Sequence, residues 1–432
     1  MDALHKALLK EVKTQLTGVV LTLVEKKLLS AGITLNRRQR SDLRRHLQRN
    51  SLSEFALPEH PNDDEADQAV ELTFTESDVD EIDRKTAAIV EAVPEVFDSV
   101  AETMAQKVRR DLDKRWGAEE RRQKKELSGF RERIQVRWRE PLSKLRQLIV
   151  ILTELGESTN ARLRKRRKFA ARHVLEAQTR LHARACQIAN EVVSLLDAGF
   201  ADGAMARWRS LHEVAVVSMF IGTDDALAER YLLHEVVESL RIARVNERHA
   251  ERLGLERVPE TEMASLQAMV DSLKTRFGAP YGEQYGWAAD ALGNPRPNFD
   301  QIETRAELDH MRPYYKLASH SVHANPKGAA YKLGLINQRR LLLAGPTNYG
   351  LADPGQNTAL SLTQVSAALA NIDSTLDGII TLKIALGLSD EVAELFVSVQ
   401  REIEAEEPQV AKKRRWSGTR RSRTAKRSRR GE

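Results

Sequence analysis

The chain has 432 residues, a length that suits two or three domains, and is 41% hydrophobic and 30% charged. Aromatics are scarce at 5%, and Ala, Leu, Glu, Arg and Lys dominate, a bias toward helix over strand. The single cysteine, Cys186, excludes an intramolecular disulfide and Cys-rich zinc modules, and it points to a reducing, cytosolic compartment. The net charge of +6 divides unevenly: residues 411–432 carry +10 and the rest of the chain −4, so the basicity belongs to an appendage.

In chain order, residues 1–56 read as an N-terminal helical segment. Leu8, Leu9, Val12, Leu16, Val19, Val20, Leu23 and Val24 recur at helical spacing. An arginine cluster, NRRQRSDLRRHLQR, closes that segment at 36–49. Residues 57–83 read as an acidic linker, within a stretch (51–83) that has twelve acids and no Lys or Arg. Residues 84–185 read as long charged helices, with coiled-coil-like character and room for self-association. Pro141 is expected to open a new helix there, Gly156 to stop it, and RLRKRRK (162–168) to open the next. Residues 186–390 read as a compact helical domain with better-buried helices. Two loops interrupt it, GAPYGEQYGWAADALGNPRPNF (278–299) and LAGPTNYGLADPGQN (343–357), before a last helix at about 358–386. Residues 391–432 read as an acidic-then-basic disordered tail. No stretch alternates long enough for a sheet, so the expected fold is all-α: elongated charged helices, a helical-bundle domain and a disordered basic tail. The N-terminus has no signal-peptide pattern, and no run is apolar enough for a transmembrane helix.

Four segments carry a family resemblance: LLDAGFADGAMARWRSLHE (195–213), AERYLLHE (228–235), YGEQYGWA (281–288) and YYKLASHSVHANPKG (314–328). In this order and spacing they resemble the bacterial domain of unknown function 5677, over about 186–390. The resemblance implies a helical domain in a bacterial, cytosolic protein and implies no activity. The N-terminal half is not covered.

The last of these segments concentrates the most possible chemistry. Ser319 and His323 are four apart, on one helix face, with His320 beside them, and Arg209 and Glu213 share the same spacing. The catalytic candidates are therefore Arg209, Glu213, Ser319, His320 and His323. One reading makes them a buried polar network between two packed helices. Another is metal-independent RNA cleavage of the HEPN type, which uses an Arg, then four to six intervening residues, then a His. Arg207/His212, Arg244/His249 and Arg40/His46 all fit that spacing. A Ser-His-acid hydrolase lacks the G-x-S-x-G elbow. His320 and His323 lack the H-E-x-x-H pattern, so no metal is expected, and the absence of phosphate or dinucleotide loops leaves no cofactor expected.

The tail carries a binding signal. Lys412, Lys413, Arg414, Arg415, Arg420, Arg421, Arg423, Lys426, Arg427, Arg429 and Arg430 suit a phosphate backbone, and Trp416 can stack on a base. The expected partner is nucleic acid or another polyanion, with homo-oligomerisation through the long helices.

Overall fold

A computed structural model describes residues 2–50, 70–166, 171–324, 326–336 and 342–427; side chains from 407 onward lie outside the described residues. Among the described residues every regular element is helical. The chain divides into two compact units, Met1–Lys125 and Glu126–Glu432.

In the first unit α1 (Asp2–Ser30) and α2 (Arg37–Asn50) pack as an antiparallel pair around Leu21, Val24, Leu28 and Leu43. Gly32 turns the chain with a φ of 79°, and the Ile33 amide closes back onto the Leu28 carbonyl at 2.8 Å. Asn36 then caps α2, accepting the amides of Arg38 and Gln39. Leu72 and Phe74 join the same cluster, and α3 (Glu76–Arg164) begins at Glu76. The chain is thus packed, then helical, inside the stretch expected to be linker. Lys27 explains it: the ammonium donates to the Thr73 carbonyl and pairs with Asp78 at the start of α3.

The helix α3 runs unbroken past Pro94, and past Pro141 and Gly156 against the breaks expected there. A proline inside a helix costs about 3 kcal/mol. Here Ile134, Trp138, Leu142 and Leu145 are fully buried on both sides of Pro141. At about 1.5–3 kcal/mol each, they outweigh it. Gly156 has a packing role: a Cβ there would meet the buried His182 ring at 2.2 Å. The basic run does not open a helix either. Arg162 and Arg164 lie in the last turn of α3, where the helix dipole favours them, and Arg162 and Arg166 both pair with Asp373.

In the second unit the C-terminal part of α3, α4 (Arg172–Asp197), α5 (Ala201–Ile221), α13 (Ala352–Ala370) and α14 (Leu376–Arg427) build the core. Small residues let the helices approach closely; Gly355 of α13, for example, faces the Phe396 ring. Around this core run α6 (Asp225–Leu233), α7 (Glu235–Leu253), α8 (Glu260–Phe277), the short α9 (Ala289–Leu292), α10 (Phe299–Arg305), α11 (Arg312–Val322) and α12 (Pro326–Ala330). The expected last helix is two helices, broken after Ala370, where Asp373 serves Arg162. Residues 391–406, the start of the expected disordered tail, are helical. Val392, Phe396 and Ile403 are buried in an i, i+4, i+11 stripe that carries α14 along the core, at least through 406. None of the described helices is long and apolar enough to cross a membrane.

Candidate functional site

The apolar helix α5 presents three polar side chains in sequence, and they divide into two layers against α10 and α11. Arg209 and Glu213, one turn apart, form the outer layer. The Tyr315 hydroxyl of α11 joins them: it accepts from Arg209 Nη2 at 2.9 Å and donates to Glu213 Oε1 at 2.7 Å. Arg209 Nε lies 3.3 Å from Glu213 Oε1, and the guanidinium covers the Tyr315 ring at 4.7 Å. Burial first, then the bond to Glu213, pushes the Tyr315 phenol up to about 12, so it stays neutral. His323 follows the end of α11 on extended backbone and is exposed, with Nε2 3.4 Å from Arg209 Nη1.

The inner layer is His212, fully buried, with Nε2 2.6 Å from Glu303 Oε1 of α10; Glu303 is equally buried. A reciprocal Asn298–Gln301 capping box starts α10 and places Glu303. Arg312, the first residue of α11, reaches both Glu303 and Asp300. Burial lowers His212 to about 4, with Arg312 and His310 acting in the same direction. Burial, then Asp309, pushes Glu303 up to about 7. The neutral imidazole lies among Trp208, Phe299 and Tyr315, and Phe299 stacks on Tyr315 with centroids 5.2 Å apart.

Of the candidates, Arg209, Glu213 and His323 converge. Ser319 does not: its hydroxyl donates to the Tyr315 carbonyl within α11. His320 is half-buried on α11 and makes none of the contacts above. The residue missed is Tyr315. It had a signal, because 315, 319 and 323 share one helix face at four-residue spacing. Glu303 and Arg312 gave no local pattern. The arginines of the Arg-then-His pairs have other partners. Arg207 pairs with Glu191 while His212 points into the core, Arg244 bonds Gln267, and Arg40 pairs with Glu25. Among the described residues no three His, Cys, Asp or Glu side chains are grouped to hold a metal. The side chains of the tail residues Lys412 to Arg430 lie outside the described residues.

The other two quoted segments hold each other. Tyr281 donates to the Arg230 carbonyl at 2.7 Å, and Arg230 Nε donates to the Trp287 carbonyl at 3.1 Å. His234 Nε2 lies 3.0 Å from the Glu283 carbonyl, and Arg241 donates to Gly282. Gly286 is required by the turn, since a Cβ would lie 2.3 Å from the Pro280 carbonyl. The loop so fixed carries Tyr285, half-buried and within the fields of Glu213 and Arg209; burial is the main cause of its raised phenol pKa. All four segments therefore contribute to one region.

Residues 176–338 match a family of unknown function, DUF5677. The match spans α5, α10, α11 and the 278–299 loop, so both layers lie within it, and it stops before α13 and α14. The N-terminal half matches no family. No curated protein and no solved structure matches the chain. DUF5677 assigns no reaction, so the chemistry must come from the side chains themselves.

Proposed function

We propose that this chain is a bacterial, cytosolic, nucleic-acid-associated helical protein that attaches through its basic C-terminal segment. The observation that carries this reading is the segregation of charge: eleven Lys or Arg against one acid in 411–432, on a chain otherwise net acidic. Such a cluster displaces counterions from a phosphate backbone without reading sequence. Deleting 411–432 and measuring affinity for duplex and single-stranded nucleic acid across a salt series tests it. Weaker binding with a flatter salt dependence is expected; unchanged affinity and slope reject the reading. Self-association through α3 is a companion proposal, supported by exposed Val108, Leu112 and Trp116 at four-residue spacing.

A second reading is favoured by one contact, Arg209 to the exposed His323. An exposed imidazole beside a guanidinium has the chemistry for proton transfer at an RNA phosphodiester without metal. Arg209, held by Glu213 and Tyr315, would neutralise the phosphate. Cleavage of labelled RNA in the presence of a chelator, lost in both Arg209→Ala and His323→Ala, is the expected result. Cleavage that persists in both variants eliminates this reading.

A further inference from the structure

The helix α2 carries a basic surface that is folded and independent of the tail. Its hydrophobic side is committed to α1 through Leu43 and Leu47. On the opposite side Arg37, Arg38, Arg44, Arg45 and Arg49 are exposed, spread over about 18 Å of helix. Among the described residues Arg45 pairs with Asp42, while Arg37, Arg38, Arg44 and Arg49 have no acidic partner. Two acids in the first turns of α3 are paired outside α2: Asp78 with Lys27, and Glu81 with Lys26 and Lys85.

Two further features separate this face from a merely solvated one. All six basic residues of α2 are arginine, whereas every Lys or Arg of α1, the helix it packs on, is lysine. A solvated face gains nothing from that choice, while the guanidinium fork matches phosphate oxygens in pairs. The first turn of α2 also holds Arg37 and Arg38 and no acid, against the helix dipole. Folding alone disfavours that arrangement, and an anion laid along the face offsets it.

We infer that this arginine face of α2 docks the phosphodiester backbone of a duplex, as a second nucleic-acid contact apart from the C-terminal segment. The contact is sequence-independent, since phosphate contacts position a protein without reading bases. Double-stranded DNA and double-stranded RNA share the chemistry, and both are arms of the test.

The experiment uses the full chain and the chain lacking 411–432. Each is made with the five arginines intact, all changed to Gln, or all changed to Lys, with circular dichroism confirming the fold. Binding to labelled random-sequence duplex DNA and duplex RNA is measured across salt. In the tail-deleted chain the intact face is expected to retain salt-dependent binding to at least one duplex. The Gln set should flatten the slope of log K against log salt by up to about 4.5, since each phosphate contact contributes about 0.9. The Lys set, which keeps the charge, should hold the slope. No binding by the tail-deleted chain overturns the inference and leaves the tail reading intact. An unchanged slope in the Gln set, or equal loss in the Gln and Lys sets, also overturns it.

Discussion

Replacing Glu303 with Gln separates the two halves of the buried pair. The amide keeps the shape and one acceptor for His212 Nε2 but cannot ionise, and the partly exposed Arg312 loses a partner. Near neutral pH the cost is about 1.5–3 kcal/mol, the range for a hydrogen bond to a charged group. The informative part is the pH dependence. His212 falls from 6.5 to about 4, so its contribution is intact above 6.5 and is lost as pH falls toward 4. Glu303 rises from 4.5 to about 7, so its contribution is complete below 4.5 and is lost as pH rises through 7. Between pH 5 and 7.5 each term amounts to about 2 kcal/mol with opposite sign. In the intact protein they cancel, because one proton passes from the imidazole to the carboxyl on folding. Glu303→Gln removes the carboxyl term and leaves the imidazole term. The variant should therefore lose about 2 kcal/mol more at pH 5 than at pH 7.5, relative to the parent. Urea denaturation of both proteins at the two pH values measures this, with unchanged m values required. Parallel profiles for parent and variant would refute the one-proton description of the pair.

Tyr315→Phe keeps the stack on Phe299 and removes the hydroxyl that links Arg209 to Glu213; a loss of about 1 kcal/mol by denaturant titration is expected. Gly286→Ala places a Cβ against the Pro280 carbonyl, backbone that cannot yield, and should cost more than about 2 kcal/mol and loosen the 278–299 loop to proteolysis. Gly156→Ala drives a Cβ into the His182 ring, so melting should fall as for an overpacked core, by about 1–3 kcal/mol. His323→Ala is the counterweight: an exposed side chain with one contact at 3.4 Å should change stability by less than about 0.5 kcal/mol.

The all-helical class was legible because composition and periodicity agree over nearly every segment. Continuity was not. Pro141 and Gly156 carry ordinary stop signals, and only the partners that bury Leu142 or bring His182 against Gly156 override them. The stripe of Val392, Phe396 and Ile403 was hidden by the acids between them, although its spacing is helical. At the site, pairs within one helix were readable: Arg209 and Glu213 meet as their spacing requires. Contacts between helices were not. Ser319 shares a face with His323, yet its hydroxyl finds a nearer acceptor one turn back, a common choice for serine inside a helix. Glu303 reaches His212 across 91 residues of chain, and no local pattern encodes that distance.

The two layers give α5 a division of labour that bears on function. His212 and Glu303 are buried, and Tyr315 joins them to the outer layer: its ring packs on His212 and its hydroxyl bridges Arg209 and Glu213. The orientation of Arg209 is therefore fixed from below, while its contact with His323 is open from above. A purely structural network has no need of an exposed imidazole at its rim. A purely superficial ion pair has no need of a buried carboxyl–imidazole support. The region combines both: a buried carboxyl–imidazole pair beneath, and above it a guanidinium 3.4 Å from an exposed imidazole.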